Sequence, residues 1–282
     1  MDSANAAEPI NILLSQEEVR FVLRALGAKV MNGLDNEPFD ALSAEQQAVA
    51  LAVASRALQA RRLVTVRDGS WVIHKRLLTA LGACVYSQRA LFVYHWRAES
   101  ETPARYFGHV RSDDVVAHTQ PQESLHLFTL LSSTEQLAKQ IQTLCGYVDA
   151  SSDQSFDLTM TGQDFVRVRE LAAANATQEA ISLLVKYKTP DDTAQAFVAT
   201  LAAAPHLTIV QALVTGENGA VQTRECTLVH QGQRAWLLSP TVTANRHDLL
   251  HAQTTTTTAF QQLLSGWLQG TGDSLSGTIN GV

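Results

Sequence analysis

Four short stretches decide the fold: ALFVYHWR (90–97), ARYFGHVR (104–111), DDVVAHTQ (113–120) and SLHLFTL (124–130). Each is rich in β-branched and aromatic residues, and polar clusters separate them, which is the pattern of short strands joined by turns. A helix follows at once, with an apolar face made of Leu137, Ile141, Leu144 and Cys145. The order therefore predicts an antiparallel β-meander that ends in a helix.

The same order recurs in the second half of the chain. Four strand-like stretches align there with the first four at nearly constant spacing: LTIVQALV (207–214), QTRECTLV (222–229), QRAWLLSP (233–240) and HDLLHAQ (247–253). The flanking helices align as well, RLLTALGA (76–83) with FVATLAAA (197–204) and STEQLAKQIQTL (133–144) with TTTAFQQLLSGW (256–267). A period this long is unlike a solenoid repeat and indicates two diverged copies of one unit.

These patterns predict an α+β protein of two pseudo-symmetric halves, each an antiparallel β-meander with flanking helices. We assign residues 1–148 to the N-terminal half, 149–156 to a small, polar linker, 157–270 to the C-terminal half and 271–282 to a flexible tail. The first half is longer mainly because of a β-hairpin at 63–73. Its Asp68-Gly69 pair suits a tight two-residue turn.

Helix ends are marked in several places. Ser15 with Glu18, and Ser43 with Gln46, have the spacing of capping boxes, in which the two side chains satisfy each other's backbone N–H groups. The threonine run at 254–258 either prolongs the last strand or caps the final helix.

The composition excludes several classes of protein. Hydrophobic residues make up 45% of the chain and charged residues 17%, which is typical of a globular protein. The net charge of −6 argues against a dedicated nucleic-acid binder, which usually carries an excess of Lys and Arg. No stretch approaches the ~20 apolar residues of a membrane span, so we expect no membrane insertion.

The cysteines and the N-terminus favour a cytoplasmic location. Cys84, Cys145 and Cys226 lie far apart, and an odd count cannot close into a full disulfide framework. We therefore expect buried thiols in a reducing compartment. The first fifteen residues, MDSANAAEPINILLS, lack the cationic region and the apolar stretch of a secretory signal.

Neither a metal site nor a catalytic set is predicted. His247 and His251 share a face of one predicted strand, and His230 lies on a predicted neighbour, so a metal site is geometrically conceivable. Solvent-facing strand histidines are the interpretation we favour, because no cysteine is close. No nucleophile elbow or Gly-rich phosphate loop follows a predicted strand, so we predict no cofactor and no enzymatic activity.

One basic segment has a pattern that occurs in some nucleic-acid-binding proteins. Residues 56–76 carry a single acid, Asp68, and six basic side chains: Arg56, Arg61, Arg62, Arg67, Lys75 and Arg76. A helix followed by a charged hairpin resembles a winged helix, whose wing contacts DNA phosphates. The alternative, a solvated face around a structural hairpin, is favoured because the preceding helix is mostly Ala, Val and Leu.

The whole arrangement resembles the EspG family, the cytosolic chaperones of ESX (type VII) secretion systems. The resemblance covers roughly residues 12–268 and is carried by the early LSQEEVRFVLRALG (14–27), by RALQARRLVTVRDGSWVI (56–73), and by QGQRAWLLSP (231–240) before an amphipathic helix. The second stretch is similar to that family's passage with Arg-Gly-Leu-Val, although Arg62 replaces the Gly here. The resemblance implies a quasi-two-fold α+β fold, which agrees with the repeat.

By this resemblance, the protein is a non-enzymatic chaperone or adaptor that binds helical secretion substrates, a PE–PPE-type heterodimer or a WXG100-like protein, in the cytosol. A monomer or a homodimer is expected.

Phe92, Tyr94 and Trp96 share one strand face and are candidates for partner binding, although a core position is the interpretation we favour. The main alternative is a winged-helix nucleic-acid-associated regulator. A weaker one is a small-molecule-binding protein with its pocket between the two meanders.

Overall fold

A computed structural model describes residues 9–34, 37–98, 100–146, 155–216, 220–243 and 246–270. The chain divides into two compact units, the first made of Met1–Ala90 and Tyr106–Leu137 and the second of Leu91–Arg105 and Ala138–Val282. The predicted linker lies mostly outside the described residues and the predicted tail wholly outside them, so both stay predictions.

Strands and helices are named in chain order. They are β1 (Ile10–Ser15), α1 (Gln16–Ala25), α2 (Glu37–Asp40), α3 (Ala44–Ala60), β2 (Val64–Arg67), β3 (Ser70–Ile73), α4 (Lys75–Val85), β4 (Arg89–Trp96), β5 (Ala104–Arg111), β6 (Asp114–Gln122), β7 (Leu125–Leu131), α5 (Thr134–Cys145), β8 (Asp157–Thr161), α6 (Gly162–Ala173), α7 (Thr177–Val185), α8 (Asp191–Ala202), β9 (His206–Thr215), β10 (Val221–Gln231), β11 (Arg234–Thr243), β12 (Arg246–Thr254) and α9 (Thr257–Gln269). No helix in the described ranges is both long and apolar enough to cross a bilayer.

The first unit is an antiparallel sheet with α1, α3 and α4 on one face, while Leu137 of α5 lies against Gly108 on the other. Its strands lie in the order β1-β7-β6-β5. Val22 of α1, Leu58 of α3 and Leu81 of α4 are fully buried and belong to one core with Val116 and Phe128 of the sheet. Burying a Leu or Phe side chain of this kind stabilises a fold by about 2 kcal/mol. This core therefore fixes how α1, α3 and α4 pack on the sheet.

The second unit follows the same plan. Its strands lie in the order β4-β9-β10-β11-β12-β8. Val168 of α6, Leu184 of α7 and Phe197 of α8 form a core with Trp236 and Leu238 of β11. The ring of Phe197 meets that of Trp236 edge-on, with ring centroids 4.9 Å apart.

The internal repeat is confirmed in the order of elements. Within each copy, a helix (α4 or α8) leads into four strands, which are followed by a closing helix (α5 or α9). The α+β class with two copies of a meander-plus-helix unit is therefore the fold of this chain.

Each copy also begins with a strand that the sequence patterns did not predict. β1 pairs with β7 and β8 pairs with β12, so each unit adds a strand beside the last strand of its own meander. Both strands end in the N-cap of a helix, Ser15 for α1 and Thr161 for α6. They were missed because each is only five or six residues long and continues into the helix without a turn.

In both units, a side chain near the end of a later helix contacts the carboxylate at the third position of the first helix. Glu18, at the third position of α1, lies with its carboxylate oxygens 3.0 Å from Nη1 of Arg61. Asp164, at the corresponding position of α6, accepts a hydrogen bond from the hydroxyl of Tyr187. Each supporting residue follows a helix, α3 or α7, and the next residue is left-handed, with φ of +58° at Arg62 and +62° at Lys188.

The hairpin forms where the sequence predicts it. β2 and β3 make a two-stranded sheet of their own, with Val66 opposite Trp71 and Arg67 opposite Ser70. Asp68 and Gly69 both have positive φ, +51° and +77°, which is the geometry of the tight turn that Asp-Gly favours.

Candidate functional site

One face of the second unit's sheet is open where β4, β9 and β10 lie side by side. Phe92, Tyr94 and Trp96 alternate along β4 and are each half-buried, and the rings of Tyr94 and Trp96 lie 6.4 Å apart. Ile209 and Leu213 of β9 are half-buried as well. We call these five side chains the aromatic face.

The opposite face of the same strands is closed. The residues between the aromatic ones on β4, such as Val93 and His95, are buried, and so are Thr208 and Val210 of β9. Phe92, Tyr94 and Trp96 are half-buried, so they are neither fully in the core, as the sequence analysis favoured, nor fully exposed. Strand alternation groups them correctly, but the helices that cover this side of the sheet pack farther along it, at Leu207 and Val229.

Polar groups lie within and beside the aromatic face, since Gln211 falls between Ile209 and Leu213. Gln211 lies on the same side of β9 as Ile209, and its Nε2 donates a hydrogen bond of 2.9 Å to Oε2 of Glu225 on β10. Thr223 and Thr227 occupy the same side of β10. An apolar centre with a polar rim is the usual composition of a protein-binding surface. The sequence analysis missed Ile209 and Leu213, although the alternation in LTIVQALV contains the signal.

Several histidines lie on the closed faces of the sheet strands. In the second unit, Nδ1 of His95 lies 2.9 Å from Oγ1 of Thr208, and the His206 ring stacks on those of His95 and His230 at 5.7 and 4.8 Å. Burial lowers the pKa of His95 to about 4, helped by nearby His206, and burial likewise lowers the pKa of His230 to about 4. The rings of His95 and His230 are therefore neutral at pH 7.

The first unit buries three more histidines on its covered face. Nε2 of His118 lies 2.9 Å from Nδ1 of His126, and the rings of His109 and His118 are 6.3 Å apart. Burial lowers the pKa of His109 to about 4 and that of His118 well below its usual range. Neither ring nitrogen of His109 has a hydrogen-bond partner in the described part of the chain.

The conceivable metal site is not assembled. β11 lies between β10, which carries His230, and β12, which carries His251. His230 is buried, so the expectation of a solvent-facing side chain was wrong for it. Nε2 of His251 lies 3.7 Å from Oδ2 of Asp157, and the side chain of His247 lies outside the described part. The described residues contain no cluster of His, Cys, Asp or Glu that fits a metal ion.

The cysteines offer no reactive thiol. Cys84, Cys145 and Cys226 are buried and free, as expected. Burial raises the pKa of Cys145 to about 11 and raises the pKa of the other two further still. A thiol with a raised pKa is a poor nucleophile at pH 7, because the thiolate is the reactive form.

Two cavities lie within single units. One of about 580 Å³ lies beside β8 and is lined by Asp157, Tyr187, Lys188 and Asp192 among others. Another, of about 500 Å³, lies beside β1 and is lined mainly by apolar residues of β1 and α3, with Arg61 and Glu18 at one end. The predicted small-molecule pocket between the meanders stays a prediction.

Comparison with known proteins places the chain in a family and shows its fold. A family model described as "Uncharacterised protein YfjC" matches residues 12–260. None of the curated proteins matches the sequence.

Among solved structures, the chain is similar to the Mycobacterium tuberculosis type VII secretion system chaperone EspG5, solved in complex with a PE25–PPE41 dimer. The TM-score is 0.62 at 8% identity, over 92% of this chain and 96% of that one. Similarity at this identity establishes the fold alone, which is EspG-like, as the sequence resemblance implied. Because the family model spans most of its length, the chain belongs to the family described as uncharacterised protein YfjC.

Proposed function

We propose that this protein is a non-enzymatic, chaperone-like binding protein that holds a helical client on the aromatic face. In its finer form, the proposal is an adaptor for helical type VII secretion substrates, of PE–PPE type or WXG100-like, in the cytosol. The EspG-like fold supports the proposal, since the EspG5 structure contains a bound PE25–PPE41 dimer.

The observation that carries the proposal is the aromatic face itself. Tyr94 and Trp96 lie half-buried on a sheet face whose reverse side is closed, so their rings are held in place before any partner arrives. Rigid aromatic anchors lose little conformational entropy on binding and dominate the affinity of many interfaces. A client helix or helical tip with an apolar ridge fits such a face.

The buried titratable groups support a role without catalysis. His95, His109 and His230 are neutral and the thiols are protonated at pH 7. General acid–base catalysis needs a group with a pKa near the working pH and within reach of the substrate. Binding is the activity that the described geometry supports best.

Co-purification with a client tests the proposal. The full chain is co-expressed with PE–PPE-type pairs and WXG100-like proteins encoded beside its gene, and complexes are sized by light scattering after gel filtration. A stable complex with one of them is expected. Tyr94→Glu and Trp96→Glu each place a charge on the aromatic face and should weaken binding at least 30-fold, about 2 kcal/mol.

A matched control separates the face from general surface change. Val185 on α7 is 43% exposed and lies on another surface of the same unit, so Val185→Glu should leave the affinity unchanged. Failure of every helical candidate to co-purify would overturn the proposal. Equal loss in Val185→Glu and Trp96→Glu would show that a client binds elsewhere.

A further inference from the structure

Four cations lie on the β2–β3 hairpin of the first unit and at its base. Arg62, Arg67, Lys75 and Arg76 are all exposed, and within the described ranges none of them forms an ion pair or a side-chain hydrogen bond. Arg61 differs, because Glu18 holds its guanidinium. The four cations are therefore available to an external anionic partner.

Large apolar side chains lie among these cations. Val66 is 51% exposed, Trp71 44% and Val72 40%, all on a hairpin of only eight paired residues. Trp71 is opposite Val66 in the register, and its ring packs edge-on against Phe21 at 5.0 Å, which fixes its orientation. Val72 lies on the opposite face of the hairpin from this pair, so apolar side chains are exposed on both faces of one small protrusion. Exposed apolar side chains of this kind mark an interaction surface.

The charge of this hairpin is opposite to that of the protein as a whole. The chain has a net charge of −6, yet the hairpin and its base hold these four cations against one acid, Asp68. His74 donates its backbone N–H to the carbonyl of Leu63, which brings the cationic start of α4 to the base of the hairpin. Cations at base and tip thus flank the apolar side chains.

We propose that this hairpin docks the protein on the surface of an anionic lipid bilayer. Apolar side chains enter the interface between headgroups and acyl chains, where a Trp ring is especially favourable. Lys and Arg beside them attract acidic headgroups, and each strengthens binding about five-fold at moderate salt. The hairpin combines both contributions on one small protrusion.

The apolar content favours a bilayer over a nucleic acid. A wing that contacts phosphates needs cations but no exposed Val and Trp, and the helix before it should present polar side chains to bases. The exposed surface of α3 instead includes Val49 and Val53. The winged-helix interpretation therefore explains the cations but leaves Val66, Val72 and the adjacent helix without a role.

Vesicle flotation tests the proposal with the full chain. Vesicles of phosphatidylcholine alone are compared with vesicles containing one quarter phosphatidylglycerol, at low and high NaCl. Binding is expected only to the acidic vesicles, and it should weaken steeply as salt rises. Arg67→Glu with Arg76→Glu should lower the partition coefficient at least 25-fold, and Val72→Asp should also reduce it.

A control variant and a competing ligand make the result decisive. Arg169→Glu with Lys186→Glu makes the same change in net charge on exposed positions of α6 and at the end of α7, and should bind vesicles like the unaltered protein. Equal loss in this control would overturn the proposal, as would absence of binding to acidic vesicles at low salt. Retention on duplex DNA without vesicle binding would also overturn it and assign the hairpin to nucleic acid. Client binding at the aromatic face is measured separately, so the two proposals can fail independently.

Discussion

The two units support the first helix of each copy at the same position but with different chemistry. In the first unit, the Arg61 guanidinium pairs with Glu18 and also donates a hydrogen bond of 2.6 Å to the carbonyl of Leu13. In the second unit, the neutral hydroxyl of Tyr187 donates to Asp164 and lies 3.4 Å from Oγ1 of Thr161. Each contact ties the end of a later helix to the start of the first one.

This difference indicates which features of the repeat the fold requires. The carboxylate at the third helical position is useful in both copies, because it lies near the positive end of the helix dipole. Its partner only has to be a donor that reaches it from the end of the later helix. An ion pair and a phenol hydroxyl satisfy that requirement equally, so identities between the copies are few although the contact is shared.

Acid is expected to weaken both units, and this is the largest effect. A histidine whose pKa falls on folding binds its proton more readily in the unfolded chain. Stability is therefore full above pH 6.5 and falls as the pH drops toward 4. The pKa values of His95, His109 and His230 fall to about 4. For each of them, going from pH 7 to pH 5 lowers the free energy of unfolding by about 2 kcal/mol.

Urea unfolding at pH 7 and pH 5 checks this expectation. His109→Leu removes one of these groups from the first unit and leaves those of the second unit in place. Because both ring nitrogens of His109 are buried without a partner, the variant should be at least as stable at pH 7 and lose about 2 kcal/mol less on acidification. Identical pH dependence in the two proteins would contradict the assigned role of His109.

The second-largest expected loss of stability comes from removing Arg61, the partner of Glu18 in the first unit. Arg61→Met leaves the Glu18 carboxylate, only 7% exposed, without its cation. Breaking a fully buried pair costs about 3–5 kcal/mol, but the Arg61 side chain is 42% exposed, so we expect a loss of about 2 kcal/mol. The loss should shrink in 1 M NaCl, because salt already weakens the pair in the unaltered protein.

The double variant Glu18→Gln with Arg61→Met provides the control. Gln at this position keeps the capping hydrogen bond to Ser15 and carries no charge that requires a partner. The double variant should therefore be more stable than Arg61→Met alone. If the two losses add, the ion pair contributes nothing.

Removing the hydroxyl of Tyr187, the partner of Asp164 in the second unit, should have a smaller effect. Tyr187→Phe deletes the hydroxyl that donates to Asp164 and leaves the ring in place. A loss of about 1 kcal/mol is expected, the usual contribution of one such hydrogen bond. Unlike the loss in Arg61→Met, it should not change with NaCl. A salt-dependent loss of similar size in both variants would remove the distinction between the two supports.

Local features of these supports follow from the sequence, whereas the contacts themselves do not. Ser15 and Glu18 predict a capping box, and both of its hydrogen bonds are present. Asp68-Gly69 predicts the hairpin turn, and both residues have positive φ. These signals are local. The partners Arg61 and Tyr187 are 43 and 23 residues distant from the acids that they hold, and no periodicity specifies such contacts.

The candidate site shows the same limit. Alternation along β4 groups Phe92, Tyr94 and Trp96, but it does not say which face of the strand the rest of the fold covers. His230 illustrates the converse, because the strand predicted as its neighbour is separated from β10 by β11. A strand pattern gives two faces and a register with its partner, whereas burial depends on the elements that pack over the sheet.

The smallest expected change in stability concerns the two left-handed residues that follow Arg61 and Tyr187. Arg62 and Lys188 hold φ of +58° and +62°, a region in which a side chain with a Cβ costs about 1 kcal/mol relative to Gly. The Gly that the EspG pattern has at the position of Arg62 fits this geometry. Arg62→Gly and Lys188→Gly should therefore each stabilise the protein by somewhat under 1 kcal/mol, since Gly also gains freedom in the unfolded chain.

Arg62→Ala and Lys188→Ala, which remove the charge but keep the Cβ, should give no such gain in urea unfolding. Stabilisation by Ala equal to that by Gly would attribute the effect to charge, and the shared backbone geometry of the two copies would then have no measurable cost.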